Sequence, residues 1–99
     1  MIVSMVLHDD ACGTLEYNTF QNSPKGVLIT SESISILLQH NLFQQHTESA
    51  VTVECEGMIS LISNKFKNNE IALSVLAGKP IFSRNLLSHN QYGIWCNNG

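Results

Sequence analysis

Gly26-Val27-Leu28-Ile29-Thr30-Ser31-Glu32-Ser33-Ile34-Ser35-Ile36-Leu37-Leu38-Gln39-His40-Asn41-Leu42 is the best-specified stretch of this 99-residue chain. Val27, Leu28 and Ile29 form a continuous apolar run after the turn signal Asn22-Ser23-Pro24-Lys25-Gly26. Such a run suits a strand covered on both faces. Thr30 or Ser31 can cap a following helix by accepting a bond from a free N–H of its first turn. Glu32 adds negative charge where a helix dipole is positive. Ile34, Leu37 and Leu38 share one face by three-and-four spacing, and Ile36, His40 and Phe43 form an adjoining stripe. Asn41 can close the helix in the left-handed conformation. The stretch therefore reads as a buried strand feeding a helix over about residues 31–40 that packs on two sides.

Working outward, residues 2–7 and 14–20 read as strands, joined as a hairpin through Asp9-Asp10-Ala11-Cys12-Gly13. Val51, Val53 and Cys55 alternate with Thr52 and Glu54, which predicts a strand over 50–55. Met58 to Lys67 is spaced more like a helix. Residues 70–77 could be either, but Asn69 before them, and Gly78 and Pro80 after, favour a helix. Gln91 to Cys96 predicts a last strand. No internal repeat stands out. The expected fold class is α+β: one domain over 1–99, with a mixed or antiparallel sheet of about five strands and two or three short helices on one face.

Composition narrows the function. Charged residues make up 13% of the chain, about half the usual share of ~25%. Ten Asn, five Gln and eleven Ser keep the surface wet instead. Weak charge repulsion between copies favours a homo-oligomer. Residues 1–63 carry a balance of −6 and residues 64–99 one of +3, so the two halves can face one another within the fold or across a dimer. An odd count of three cysteines without CxxC spacing, and no signal peptide, point to a reducing, cytoplasmic setting. No stretch reaches the ~20 apolar residues of a membrane span.

Five groups of residues could carry chemistry. His8, Asp9, Asp10 and Cys12 could form a Cys–His pair for a small-molecule binder or minor hydrolase, although their spacing fits no zinc pattern and Asp-Asp before Gly is ordinary turn chemistry. Glu54 and Glu56 flank an inward Cys55 and read as a solvated edge. His40, His46 and His89 lack metal-ligand spacing, and His40 suits a helix C-terminus. Lys65, Lys67, Lys79 and Arg84 loosely suggest a helix-turn-helix, but four cations make few phosphate contacts, which argues against nucleic acid. Tyr92, Ile94 and Trp95 on a terminal edge strand, with Ile36 and Phe43 of the first helix, suit an interface. No Gly-rich phosphate loop, cofactor motif or metal motif is present. These readings favour a small non-catalytic protein-interaction module, self-associating or docking on a partner protein.

Overall fold

The structure, a computed structural model, describes residues 3–7, 12–30 and 35–96. Among these there is no helix. Thirteen strands follow one another: β1 (Val3–Leu7), β2 (Cys12–Glu16), β3 (Thr19–Gln21), β4 (Lys25–Ile29), β5 (Ser35–Gln39), β6 (Leu42–Gln44), β7 (Ser49–Glu54), β8 (Met58–Ile62), β9 (Lys65–Lys67), β10 (Ile71–Ala77), β11 (Ile81–Ser83), β12 (Leu86–Ser88) and β13 (Tyr92–Cys96). Every pairing is parallel. Sheet A is ordered β1-β4-β7-β10-β13, sheet B β11-β8-β5-β2 and sheet C β12-β9-β6-β3. Each strand pairs with the strand three places on, so the chain winds as a three-sided solenoid whose turns stack along one axis.

This overturns the expected α+β fold. The described part of 31–40 is β5, 58–67 is β8 and β9, and 70–77 is β10. The strands expected at 2–7, 27–30, 50–55 and 91–96 are present, but residues 14–20 are split between β2 and β3, and the hairpin is replaced by parallel pairing of β1 with β4.

The corners explain both the fold and the misreading. Among the described residues, eight non-glycine residues have positive φ, between 56° and 61°. Tyr17, His40, Ser63 and Arg84 form one column between sheets B and C; Asn22, Gln45, Asn68 and His89 form another between sheets C and A. This backbone conformation costs an L-residue about 1–2 kcal/mol, and here it bends the chain between sheets. The bend shifts the inward phase by one residue. Inward positions in one turn thus run Ile36, Leu38, Asn41, Phe43, His46, all buried. Their spacing of two, three, two and three resembles a helical stripe, and it belongs to a bent strand.

The residue after each bend carries the hydrogen bonds. Asn18, Asn41, Asn64 and Asn85 stack between sheets B and C. Asn41 Nδ2 donates to Leu15 O at 2.8 Å and to Asn64 Oδ1 at 3.0 Å, and Asn41 N donates to Asn64 Oδ1 at 2.9 Å. One turn on, Asn64 Nδ2 donates to Leu38 O at 2.8 Å and Asn64 N to Asn85 Oδ1 at 2.7 Å. The second corner repeats this with Asn69 and Asn90, whose Nδ2 atoms donate to Phe43 O and Phe66 O at 3.1 and 2.9 Å. His46 takes the asparagine position one turn earlier, with Nε2 3.0 Å from Phe20 O and Nδ1 2.9 Å from Ser23 O. A Cβ at Gly26 would overlap the Ala50 carbonyl oxygen and crowd the His46 ring, so this position has no room for a side chain. Every buried side-chain N or O among the described residues has a partner, as burial without water requires.

Between the corners the core is columnar. Phe20, Phe43 and Phe66 stack with centroids 5.1 and 5.0 Å apart and planes within 9°, close to the ~4.8 Å strand spacing. Leu15, Leu38 and Leu61 lead to Phe82 in sheet B, and Val27, Val51 and Leu73 to Ile94 in sheet A. Turn lengths differ only away from the first corner. Sheet A pairs Val27 with Val51, 24 positions on, and Leu73 with Ile94, 21 positions on. The differences are taken up around Thr47, in the connections from sheet A to sheet B, and in a bulge between Val75 and Ala77.

Asn64→Ala would strip the acceptor from Asn41 N and Nδ2 and the donor from Leu38 O. A buried polar group left unpaired costs about 1–3 kcal/mol, so urea unfolding should show a loss of about 3 kcal/mol or more. A loss below about 1 kcal/mol would contradict this account of the corner.

Candidate functional site

The two ends of a solenoid are where its sheets stop, and among the described residues one end gathers most of the large apolar side chains left outside the core. β13, β11 and β12 are the outermost strands of sheets A, B and C there. Ile94 continues the inward column of Val27, Val51 and Leu73, yet it is 51% exposed, because no described strand lies beyond it. Tyr92 and Trp95 are 44% and 45% exposed and meet edge to face, with centroids 5.5 Å apart. Ile81 on β11 and Leu86 on β12 are exposed at the same end. A cavity of about 470 Å³ opens here, lined by Leu73, Val75, Phe82, Ile94 and Cys96, with Glu56 and Lys79 beside them. These are core side chains of a final turn, half covered. Among the described residues no strand pairs with the outer edge of β13, and its backbone N–H and C=O groups directed away from β10 are the usual template for another strand.

The expected interface residues divide. Tyr92, Ile94 and Trp95 are exposed together, while Ile36 and Phe43 are buried, Phe43 completely. Those two cannot present a surface. They are inward residues of β5 and β6, and the exposed helical stripe they were assigned to does not exist. Ile81 and Leu86, on the short strands β11 and β12, were not among the expected interface residues.

The other groups scatter. His8, Asp9 and Asp10 lie outside the described residues. Cys12 begins β2 and shares its register position with Ser35 and Met58, both exposed. Glu54 and Glu56 are exposed on either side of buried Cys55. His40 is an exposed corner residue stacked on Tyr17 at 5.2 Å with planes 8° apart, not a helix cap. His46 is buried in the second hydrogen-bond column, and His89 is an exposed corner residue. Among the described residues no three His, Cys, Asp or Glu side chains gather as a metal site needs. Lys65 and Lys67 point outward from β9, Arg84 sits at a corner and Lys79 in the turn before β11, all exposed. The helix-turn-helix suggested for them is absent, since 58–67 and 80–87 are strands and corners. No helix among the described residues is long and apolar enough to cross a membrane.

Comparison with known proteins agrees with the winding. A family model described as a right handed beta helix region matches residues 4–99. No curated protein matches the chain, and no solved structure does.

Cys55 is a free thiol buried in the core and Cys96 a free thiol exposed at the apolar end. Iodoacetamide under native conditions should therefore label Cys96 within minutes and leave Cys55 untouched until denaturant is added. Native labelling of Cys55 at a rate matching Cys96, read by peptide mass spectrometry, would contradict the packing of β7 against its neighbours.

Proposed function

This chain belongs to the right handed β-helix family, and on that footing we propose that it is a non-catalytic interaction module whose partner adds an extended segment to the free edge of β13. A fold of this kind is compatible with a small binding module. The observation that carries the reading is the coincidence, on one terminal strand, of an unpaired backbone edge with exposed Tyr92, Ile94 and Trp95. Main-chain hydrogen bonds from an added strand supply affinity, and side chains received along its length supply selectivity. Tyr and Trp offer large contact area at low entropic cost and are the usual anchors of such contacts. Burying Ile94 under one more strand would continue the column of Val27, Val51 and Leu73, which gains hydrophobic stabilisation with each apolar surface withdrawn from water.

The reading also accounts for the surface elsewhere. The outward positions of sheet C are mostly polar, as at Thr19, Gln21, Gln44 and Lys67. Sheet B sets Leu37, Met58, Ile62 and Ile81 outward among Thr14, Gln39 and Ser60, without an aromatic anchor among them.

Trp95 is the only tryptophan, so its emission reports directly on occupancy of the edge. Titration with a synthetic peptide of the β4 sequence, Lys25 to Thr30, should give a saturable blue shift. The same titration of Ile94→Lys, with an unchanged far-ultraviolet circular dichroism spectrum, should give none. An emission spectrum unmoved by excess peptide, with β13 amides exchanging freely throughout, would rule out docking at this edge.

A further inference from the structure

Tyr17, His40, Ser63 and Arg84 occupy one column at the vertex between sheets B and C. The first two place rings on it, stacked with centroids 5.2 Å apart and planes 8° apart. Tyr17 is 76% exposed and His40 is exposed beside it, so this stack stands outside the core. At the third place the ring is missing, because Ser63 carries only a hydroxymethyl group. Arg84 takes the fourth with a long cationic side chain, exposed to solvent. Among the described residues no ring lies on the face of His40 turned away from Tyr17.

The ladder sets the size of this gap. Thr19, Leu42 and Lys65 pair in register beside the column, so His40 and Arg84 lie two strand spacings apart, about 10 Å. One planar group fits between them at the separation that Tyr17 and His40 already keep. A hollow of about 380 Å³ runs alongside, with Tyr17, His40 and Ser63 on one wall and Thr19, Leu42 and Lys65 on the other. That volume lies within the ~300–1,000 Å³ range of small-ligand sites. The asparagine behind it offers little, since the Asn41 amide is used within the corner ladder. Recognition therefore falls to the ring face and to charge.

The charge is of one sign. No acidic residue lines the hollow, whereas Lys65 does, and Arg84 follows one turn beyond Ser63 in the same column. Glu16 sits two register places from Ile62, the neighbour of Ser63, and its Oε2 accepts from Gln39 Nε2 at 2.8 Å. We infer that this vertex binds a planar aromatic anion, its ring stacked on His40 at the level of Ser63 and its negative charge held by Lys65. Such a ring completes the column that Tyr17 and His40 begin, in the stacked geometry aromatic pairs prefer. The Arg84 side chain is long enough to lie over its other face, as guanidinium planes do on aromatic rings. The site lies on the lateral surface and is independent of docking at β13.

Two probes differ in the source of the anion: indole-3-acetate, an aromatic carboxylate, and adenosine 5′-monophosphate, an aromatic phosphate. Heteronuclear NMR of the isotope-labelled full chain should show saturable shifts at Tyr17 and His40 with one or both, and the tighter binder assigns the anion. Cyclohexylacetate, equal in charge to indole-3-acetate but not planar, should leave those signals in place, and the Trp95 indole N–H should not move with any probe. Ser63→Tyr sets the chain's own ring in the gap. The change suits the backbone, since φ is 57° at both Tyr17 and Ser63, and it should abolish binding without lowering the urea midpoint. Lys65→Gln should weaken binding about tenfold, the loss of one hydrogen bond to a charged group. No saturable shift with either aromatic anion up to about 5 mM would overturn the site. So would undiminished binding to Ser63→Tyr or Lys65→Gln, equal binding of cyclohexylacetate, or shifts confined to Trp95 and its neighbours.

Discussion

The asparagine amide at each corner is the interaction on which the solenoid depends. A left-handed residue bends the backbone, and the bend directs the next side chain into the interior, where it must satisfy carbonyls that no strand can reach. Asn does this with one short group: Nδ2 donates to the carbonyl left by the preceding turn, and Oδ1 receives the N–H of that turn's own Asn. Without that exchange the corner would hold buried, unpaired peptide groups next to an already strained torsion. With it, successive corners lock at the strand spacing, and the Phe20, Phe43 and Phe66 rings are brought into a stack. The sheets follow from the corners more than the corners from the sheets.

That order explains what the sequence disclosed. Strands rich in β-branched residues, such as β7, were legible by simple alternation. The segments over 31–40 and 58–67 were not, because a bend midway shifts the alternation by one and mimics a helical spacing. The decisive signal was periodic. Asn18-Thr19-Phe20, Asn41-Leu42-Phe43 and Asn64-Lys65-Phe66 recur every 23 residues, with Asn85-Leu86-Leu87 following at 21. The recurring positions are an amide and an apolar ring separated by one variable residue, short enough to pass as scattered composition. Comparing the chain with itself at a fixed offset would have exposed the architecture.

The candidate site was half legible. The aromatic edge at Tyr92 and Trp95 could be read from a terminal run of alternating residues, because terminal strands expose one edge in most sheet folds. Ile81 and Leu86 could not, since they are the outward neighbours of Phe82 and Leu87 on three-residue strands, too short for alternation to show which side faces the core. Ile36 and Phe43 show the opposite error. They are as apolar as the exposed set, but they point inward and a further turn covers them on each side. In a stacked fold the same side chain is core or surface according to whether another turn covers it.

The uneven turn lengths carry one last consequence. The corner between sheets B and C never changes length, whereas the connections around Thr47 and those leading from sheet A to sheet B absorb every added or missing residue. Those connections are therefore the places where foreign loops could be grafted without disturbing the amide columns. The corner admits no such insertion, and a chain of this kind can diversify only by decorating two of its three vertices or by duplicating a whole winding.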